Sequence, residues 1–234
     1  MHAGQTAAEQ PSLARRSAVE AVGTAFLLIA VVGSGIMADR LAPGLPATAL
    51  LANSVATGFA LVALILAGAP YSGAHFNPLV TLADCALRRR PWREAAAYGV
   101  AQGLGALAGV AAADAMFREP LFTLSRRVRG GSGQILGEFL AAFGLLTIVF
   151  LASRSNDAAV AVAVGAYITA AYWFTSSTSF ANPAVTLARS LTDTFTGIRP
   201  RDVPGFLIGQ FAALAVFCPA FWWLTGARTP RKTP

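Results

Sequence analysis

Charged residues are scarce in this sequence, and their scarcity is the first guide to the class of protein it encodes. Asp, Glu, Lys and Arg make up 12% of the 234 residues, whereas 55% are hydrophobic and the mean hydropathy is +0.57. Soluble domains typically carry about 25% charged residues, so this composition excludes an ordinary soluble protein and predicts a membrane protein. Apolar stretches recur along almost the whole chain and leave no room for a soluble domain.

Cysteine is almost absent, and the chain lacks motifs for metal, cofactor or nucleophile chemistry. The two cysteines, Cys85 and Cys218, fall in different hydrophobic segments without metal-ligand spacing, so we interpret them as buried free thiols. We therefore predict no metal, no cofactor and no catalytic residue. An enzyme with a dyad of Ser34 and His75 is kept as an alternative, although no G-x-S-x-G elbow is present.

The charge that is present is mostly positive, with a formal net charge of +7 and a pI near 10.4. In a soluble protein this balance would indicate nucleic acid, but here the arginines sit between hydrophobic blocks. We interpret them as topology signals and headgroup anchors, which predicts the lipid bilayer as a partner and no nucleic acid. The stretch Met1–Arg16 lacks the apolar run of a signal peptide, so the first hydrophobic segment is predicted to be a retained span.

Six stretches are predicted to cross the membrane as helices, which puts both termini on one side. The 18 Lys and Arg residues divide almost evenly between the two sides. A small excess on the side of the termini slightly favours cytoplasmic termini. The predicted spans are Ala18–Ala38, Ala47–Ala67, Ala95–Ala113, Ile135–Ala152, Ala158–Phe174 and Val203–Leu224.

Two further hydrophobic pieces, Asn77–Leu87 and Asn182–Leu191, have a helical pattern but are too short to span. At ~1.5 Å per residue, each reaches only about halfway through a hydrocarbon core that is ~30 Å thick. The heptapeptides that open them, Asn-Pro-Leu-Val-Thr-Leu-Ala and Asn-Pro-Ala-Val-Thr-Leu-Ala, match at six of seven positions. The two pieces are therefore interpreted as copies of one half-helix.

The repetition extends to the halves of the chain, because Glu20 corresponds to Glu138 and Gln102 to Gln210. Each half holds three spans and one half-helix, and three is odd, so the second copy enters the membrane inverted. The predicted fold is thus an all-α membrane protein with six transmembrane helices and two re-entrant half-helices. Its parts are a cytoplasmic tail (1–17), a first repeat (18–116), an outer loop (117–133), a second repeat (134–226) and a C-terminal tail (227–234).

The Asn-Pro pairs predict where the half-helices begin, because Asn caps free N–H groups and Pro suits the first helical position. Irregular backbone at membrane depth is tolerated only where it is buried or lines water, so the loops 71–76 and 176–181 should line a cavity. The positive dipole ends of the inverted half-helices would meet near the midplane and repel cations. Neutral solutes that form hydrogen bonds would pass.

At these residues the chain resembles the aquaporin and aquaglyceroporin family, whose signature loops look like Ser72–Leu79 and Ser179–Val185 here. The resemblance covers about residues 15–226. It implies a homotetramer with a pore in each subunit. It also implies pore-centre donors (Asn77, Asn182), motif residues (Pro78, Leu79, Pro183, Ala184), a carbonyl ladder (Gly73, Ala74, His75, Phe180, Ala181) and buried carboxylates that hold the half-helices (Glu20, Glu138). For the glutamates, an interfacial charge at a helix end is the alternative.

The chain departs from the family at the second motif, where most members have Arg directly after Asn-Pro-Ala and this sequence has Val185. By position relative to the motifs, the remaining residues of that selectivity filter are Thr57, Ala170 and Ser179. None of the four is aromatic or charged, which implies an opening wider than that of a water channel. The alternative is that bulky neighbours refill the space, and the candidates are Phe59, Trp173 and Phe180.

Arg189 lies one helical turn after Val185 on the same face, where it is interpreted either as a displaced outer-mouth arginine or as an arginine that snorkels to headgroups. The outer-loop arginines 126, 127 and 129 are interpreted as a solvated or lipid-facing group, with steering of anions as the alternative. His75 is interpreted as a hydrogen-bonded packing residue, with a pH gate as the alternative.

The predicted function is a passive channel for small neutral solutes in the inner (plasma) membrane, where helical spans rather than barrel strands are found. Metalloid hydroxides such as arsenous acid, methylated arsenicals and glycerol, with water, come first. These solutes are placed first because this chain lacks the filter arginine, and family members that lack it look like those associated with arsenic. A water-selective aquaporin and an ion-coupled secondary transporter are the alternatives.

Overall fold

The computed structural model describes residues 11–226, and every regular element in that range is helical. Six helices are long and apolar enough to cross a membrane, which confirms the predicted number of spans. The predicted C-terminal tail and residues 1–10 lie outside the described residues. The six are α1 (Leu13–Leu41), α2 (Pro46–Ser72), α4 (Trp92–Phe117), α5 (Ser132–Ala152), α6 (Asp157–Phe174) and α8 (Val203–Thr225).

The long helices extend beyond the apolar stretches that predicted them. Helix α1 begins at Leu13 inside the predicted tail, because the Ser12 side chain caps it by accepting from the backbone N–H of Arg15. Helix α2 runs past its predicted end and contains Pro70, and it stops where Gly73 adopts a left-handed φ of 90°. Hydropathy alone therefore predicts these helices too short, because they include polar end turns and an internal proline.

The two short pieces form half-helices, α3 (Pro78–Ala86) and α7 (Pro183–Ala188). Each begins directly after its asparagine, whose side-chain oxygen accepts a backbone N–H of the first turn. Helix α7 is shorter than the predicted piece, because its last three residues, Arg189–Leu191, form a single 3₁₀ turn. The cap and the proline thus fix both starting points, as the sequence indicates.

The two halves of the chain pack in the same way. In the first half α1 lies against α2 and α4, and in the second half α5 lies against α6 and α8. Helices α2 and α6 join the halves, while α3 and α7 both contact α4 and α8. This correspondence is the packing expected of two copies of one unit, and it leaves the half-helices between the long helices.

Helices α2 and α6 approach closely where two glycines face each other. A Cβ atom placed on Gly165 would lie 2.6 Å from the carbonyl oxygen of Gly58, closer than real side chains come to backbone. Small residues allow this approach in membranes, where van der Waals packing drives helix association. The absence of a side chain at Gly165 therefore sets the distance between the halves.

We predict that Gly165→Ala destabilises the folded protein, because the methyl group pushes α6 away from α2. Overpacking of this kind costs about 1–3 kcal/mol. The measurement is thermal unfolding of the purified protein in detergent. The matched control is Gly103→Ala, since no atom lies within 4 Å of a Cβ at that helical position. Equal unfolding temperatures for the two variants would contradict the close contact.

Candidate pore and its two ends

One cavity of about 580 Å³ is lined by residues of both re-entrant loops. Asn77 and Asn182 lie on its wall, and its two ends differ in chemistry. We call them the Arg90 end, where Arg16, Arg90 and Glu94 line the wall, and the Arg189 end, where Arg189 does so. The remaining wall is largely aliphatic and comes from α1, α2, α5 and α6 at Leu27, Val31, Leu61, Ile65, Leu145, Val149, Val160, Val164 and Ile168.

The two half-helices meet head to head through their asparagines. The side-chain amide of Asn77 donates to the carbonyl of Ala181 at 2.8 Å, and that of Asn182 donates to the carbonyl of Phe76 at 2.8 Å. Each asparagine oxygen meanwhile caps its own half-helix. A primary amide carries two N–H bonds, so each asparagine has one N–H bond that this contact does not use.

Two fully buried carboxylates hold the loops that lead into the half-helices. Glu20 accepts the backbone N–H groups of His75 at 3.0 Å and Phe76 at 2.6 Å, and the side-chain amide of Gln102 at 2.8 Å. Its other donor is the hydroxyl of Ser72 at 2.6 Å. These are the contacts expected for this residue, rather than those of an interfacial charge.

Glu138 makes the equivalent contacts in the second half. It accepts the backbone N–H groups of Phe180 and Ala181, both at 2.9 Å, and the side-chain amide of Gln210. Gln210 also donates to the hydroxyl of Thr186 in α7, so the carboxylate, the loop and the half-helix form one hydrogen-bonded unit.

The loop backbones adopt conformations that side chains normally avoid. Ala74 and Phe76 have φ values of 50° and 47°, and Ser179 and Ala181 have 51° and 47°. Left-handed non-glycine residues persist only where the surroundings hold them, here through the two glutamates. Gly73, Ala74, His75 and Phe180 of the expected ladder form part of the cavity wall. Ala181 does not line the cavity, and its carbonyl accepts from Asn77.

Three of the four expected filter residues, Thr57, Ser179 and Val185, line the cavity. The prediction for Ala170 is wrong, since this residue is exposed on the outside of α6. A residue two positions along a helix points about 200° away, and α6 presents Ile168 and Tyr172 to the cavity instead. The hydroxyl of Tyr172 donates to that of Thr57 at 3.3 Å, so the wall contains an aromatic side chain that the sequence did not indicate.

The three bulky residues that were expected as candidates to refill the filter divide into two groups. Phe59 and Trp173 are 74% and 49% exposed and do not line the cavity. Phe180 is buried and does line it. Its ring carries the guanidinium of Arg189, whose central carbon lies 3.4 Å from the ring centroid. Of the three candidates, only Phe180 of the second loop thus adds bulk to the Arg189 end, beside Tyr172 of α6.

Arg189 is buried in the cavity wall rather than extended toward headgroups. It is 2% exposed, and its Nε donates to the carbonyl of Thr196 at 2.5 Å. Within residues 11–226, neither of its terminal nitrogens has a protein acceptor and no carboxylate lies within salt-bridge distance. The alternative of a snorkelling arginine is therefore not supported.

Of the three loop arginines, Arg129 departs from the expected solvated group. Arg129 donates to carbonyls of Gly197 and Phe195 and to the hydroxyl of Thr178, and its guanidinium lies 5.1 Å from the centroid of Phe180. Burial, with the charge of Arg127, lowers the pKa of Arg129 to about 10, so it stays cationic at neutral pH. Arg126 and Arg127 are exposed, as expected of solvated side chains, and the side chain of Arg126 is 90% exposed.

The Arg90 end contains a charged network that the sequence analysis missed. Arg90 donates to Asp84 at 3.0 Å, to Glu94 at 3.2 Å and to the carbonyl of Ser72 at 2.9 Å. Arg16 forms a two-bond pair with Glu94 at 2.7 and 2.9 Å. An acidic residue inside an apolar half-helix, Asp84, was the available signal, since such residues seldom occur at membrane depth without a partner.

The side chains considered for other chemistry are held apart. His75 contacts the hydroxyl of Thr81 at 3.0 Å, as expected of a packing histidine, and lies 3.7 Å from Asp84. Ser34 donates to the carbonyl of Ala30 and accepts from Asn53. The two residues of the suggested dyad thus have separate partners. Both cysteines are buried and free, and in the described part of the chain no cluster of metal-binding side chains is found.

Comparison with known proteins agrees with this geometry. Residues 7–157 match the profile of the major intrinsic protein family. Aquaglyceroporin AqpS of Rhizobium meliloti (strain 1021) is 52% identical over 92% of this chain and 93% of its own length, and Aquaporin NIP1-4 of Oryza sativa subsp. japonica is 31% identical over 90% and 77%. The X-ray structure of the aquaglyceroporin from Plasmodium falciparum shares the fold at a TM-score of 0.66 and 22% identity, covering 90% of this chain and 96% of that one. The chain therefore belongs to the major intrinsic protein family, and it is a membrane channel for small neutral solutes, not an enzyme.

Proposed function

We propose that this channel passes neutral hydroxylated solutes larger than water: metalloid hydroxides such as arsenous acid, methylated arsenicals and glycerol, together with water. The observation that carries the proposal is the wall of the Arg189 end, where Thr57, Ser179 and Val185 contribute only small or medium neutral side chains. The hydroxyl of Ser179 is buried and has no hydrogen-bond partner among residues 11–226. The 52% identity to a protein named an aquaglyceroporin supports the same solute class.

The wall chemistry suits a solute with hydroxyl groups on one side and little polarity on the other. The free N–H bonds of Asn77 and Asn182 and the carbonyls of the loops supply donors and acceptors along one side. The aliphatic side chains of the long helices supply none on the other. Such a wall replaces part of the hydration of a neutral solute, whereas a cation meets the positive ends of two half-helices.

The water-selective alternative has one observation in its favour, because Phe180, Tyr172 and Arg189 add bulk to the same end. A coupled transporter is less well supported. Such transporters place ionisable groups at the midplane, whereas Asp84 and Glu94 of this wall pair with arginines at the Arg90 end. Glu20 and Glu138 are occupied by loop N–H groups.

For the surroundings of the channel we propose the inner (plasma) membrane, cytoplasmic termini, the Arg90 end toward the cytoplasm and a homotetramer. Large apolar side chains cover the outside of the helices, among them Phe26, Phe59, Leu104 and Trp223, which are 56%, 74%, 63% and 85% exposed. In a bilayer these side chains contact lipid or a neighbouring subunit. The tetramer follows the family resemblance, and cross-linking in native membranes tests it.

We predict that Val185→Arg lowers the permeability to glycerol and arsenous acid at least about tenfold while water permeability falls far less. A second guanidinium at this level narrows the opening and competes for the acceptors that a larger solute needs. Stopped-flow measurements on proteoliposomes give the three permeabilities. Val185→Ala is the matched control and should retain all three. If the unmodified protein passes water alone, the proposed solute class is wrong.

We also predict that Glu138→Gln lowers water and glycerol permeability together, because it disorders the loop and does not alter selectivity. The amide that replaces one carboxylate oxygen cannot accept from a backbone N–H, which leaves a buried donor unpaired at a cost of about 1–3 kcal/mol. Permeability per folded protein and the unfolding temperature are the measurements. Glu119→Gln, at a carboxylate of an exposed ion pair, is the control. Unchanged flux and stability in Glu138→Gln would show that the loop does not depend on this carboxylate.

A further inference from the structure

We propose that Arg189 supplies, from one turn further along the second half-helix, the guanidinium that position 185 lacks, and that it excludes cations and binds solute oxygens at the Arg189 end. The inference rests on the proposed function of a solute channel and assigns its charge selectivity to one residue. It also means that the opening is neutral at position 185 without being neutral as a whole.

The direction of the side chain allows this substitution. Residues four apart lie on the same face of a helix, and side chains lean toward the helix N-terminus, so Arg189 covers the turn that contains Val185. Both residues are found in the wall of the cavity. Arg189 itself keeps helical backbone angles, with φ −68° and ψ −10°. The guanidinium of Arg189 therefore lies at the level of the cavity that a side chain at position 185 would also reach.

Arg189 is held in this place by its inner atoms, and its outer atoms stay available. Its Nε donates to the carbonyl of Thr196, and the flat face of its guanidinium packs on the ring of Phe180. The terminal nitrogens, which carry four N–H bonds in a planar fork, have no protein acceptor within residues 11–226. A fork fixed at its base and open at its tips is suited to two oxygens of one solute.

The loop that positions Arg189 is itself tied down. Thr192 donates to the buried carboxylate of Asp114 in α4 at 2.8 Å, and the carbonyl of Gly197 accepts from Arg129 at 2.8 Å. These bonds lie on either side of Thr196 in the sequence. The acceptor for the Nε of Arg189 is therefore part of a fixed turn, and the guanidinium does not depend on a mobile partner.

The charge of Arg189 has no salt-bridge partner among the described residues. Within the described residues no carboxylate pairs with Arg189 or Arg129, and both guanidiniums lie against the ring of Phe180. At the Arg90 end, in contrast, Arg16 and Arg90 are paired with Glu94 and Asp84. Arg189 is buried and Arg129 is half-buried, and neither forms a salt bridge, so together they repel a cation more strongly than solvated charges do. The proposed barrier to cations therefore lies at the Arg189 end.

The test uses urea and guanidinium, which have nearly the same size and shape and differ in charge. Uptake of each labelled compound into proteoliposomes is measured with the membrane potential clamped by potassium and valinomycin. The unmodified protein should take up urea and exclude guanidinium. Arg189→Gln should raise the ratio of guanidinium uptake to urea uptake at least about tenfold, because the charge at the opening is lost. Arg126→Gln removes the same charge from a solvated side chain and should behave like the unmodified protein.

Relocation of the charge gives a second, independent readout. Val185→Arg combined with Arg189→Gln should restore the exclusion of guanidinium, since the guanidinium returns to the same level from the other position. A residue that merely supported the fold would not be replaced in this way. Failure of the double variant to exclude guanidinium, with water flux intact, overturns the proposal.

The remaining outcomes are separable. An unmodified protein that passes neither urea nor glycerol contradicts the proposed function. Urea uptake in the unmodified protein together with full exclusion of guanidinium by Arg189→Gln contradicts only the role of Arg189. Arg189→Leu is the second variant in case Arg189→Gln does not fold, which is judged by its water permeability. If neither variant conducts water, Arg189 is a structural residue and the proposal is wrong.

Discussion

The structure depends on a single constraint, which is that backbone inside a membrane must find hydrogen bonds without water. The loops before α3 and α7 have no neighbouring strand or helix that could pair with them. Glu20 and Glu138 solve this problem by accepting two backbone N–H groups each, and Gln102 and Gln210 complete their coordination. The left-handed residues of the loops are held in place by these two carboxylates.

The same arrangement accounts for two buried negative charges without a cationic partner. A lone carboxylate in the interior is costly, but here each oxygen receives charge-assisted hydrogen bonds. The N-terminus of a half-helix lies directly after each loop and contributes about half a positive charge. Glutamate and half-helix therefore stabilise each other across the loop, while the free surface of the loop is left to the cavity. The dipoles of the two half-helices therefore stabilise the buried glutamates and also repel a permeating cation.

Sequence reasoning succeeded where a repeat or a strong physical limit was available. The spans follow from hydropathy, and the half-helices from length together with the doubled Asn-Pro. It was harder to predict which face of a helix lines the cavity, because no motif in α6 indicates which of its residues point inward. An error of two residues exchanged the exposed Ala170 for the cavity-lining Tyr172. The network of Arg90 was missed, and Arg129 was interpreted as solvated, because the partners of both are brought near by turns whose course no local pattern specifies. For Arg189 both interpretations were compatible with spacing, and only burial and partners distinguish them.

The exchange of amide bonds between Asn77 and Ala181 and between Asn182 and Phe76 has a consequence for biogenesis. Each bond joins the first half of the chain to the second, so neither loop has its full set of partners until both halves are inserted. The first half of the chain is synthesised first, and at that stage Asn77 and the carbonyl of Phe76 lack their partners in the second half. The hydrogen bonds at the meeting point of the half-helices are therefore complete only after both halves have been inserted.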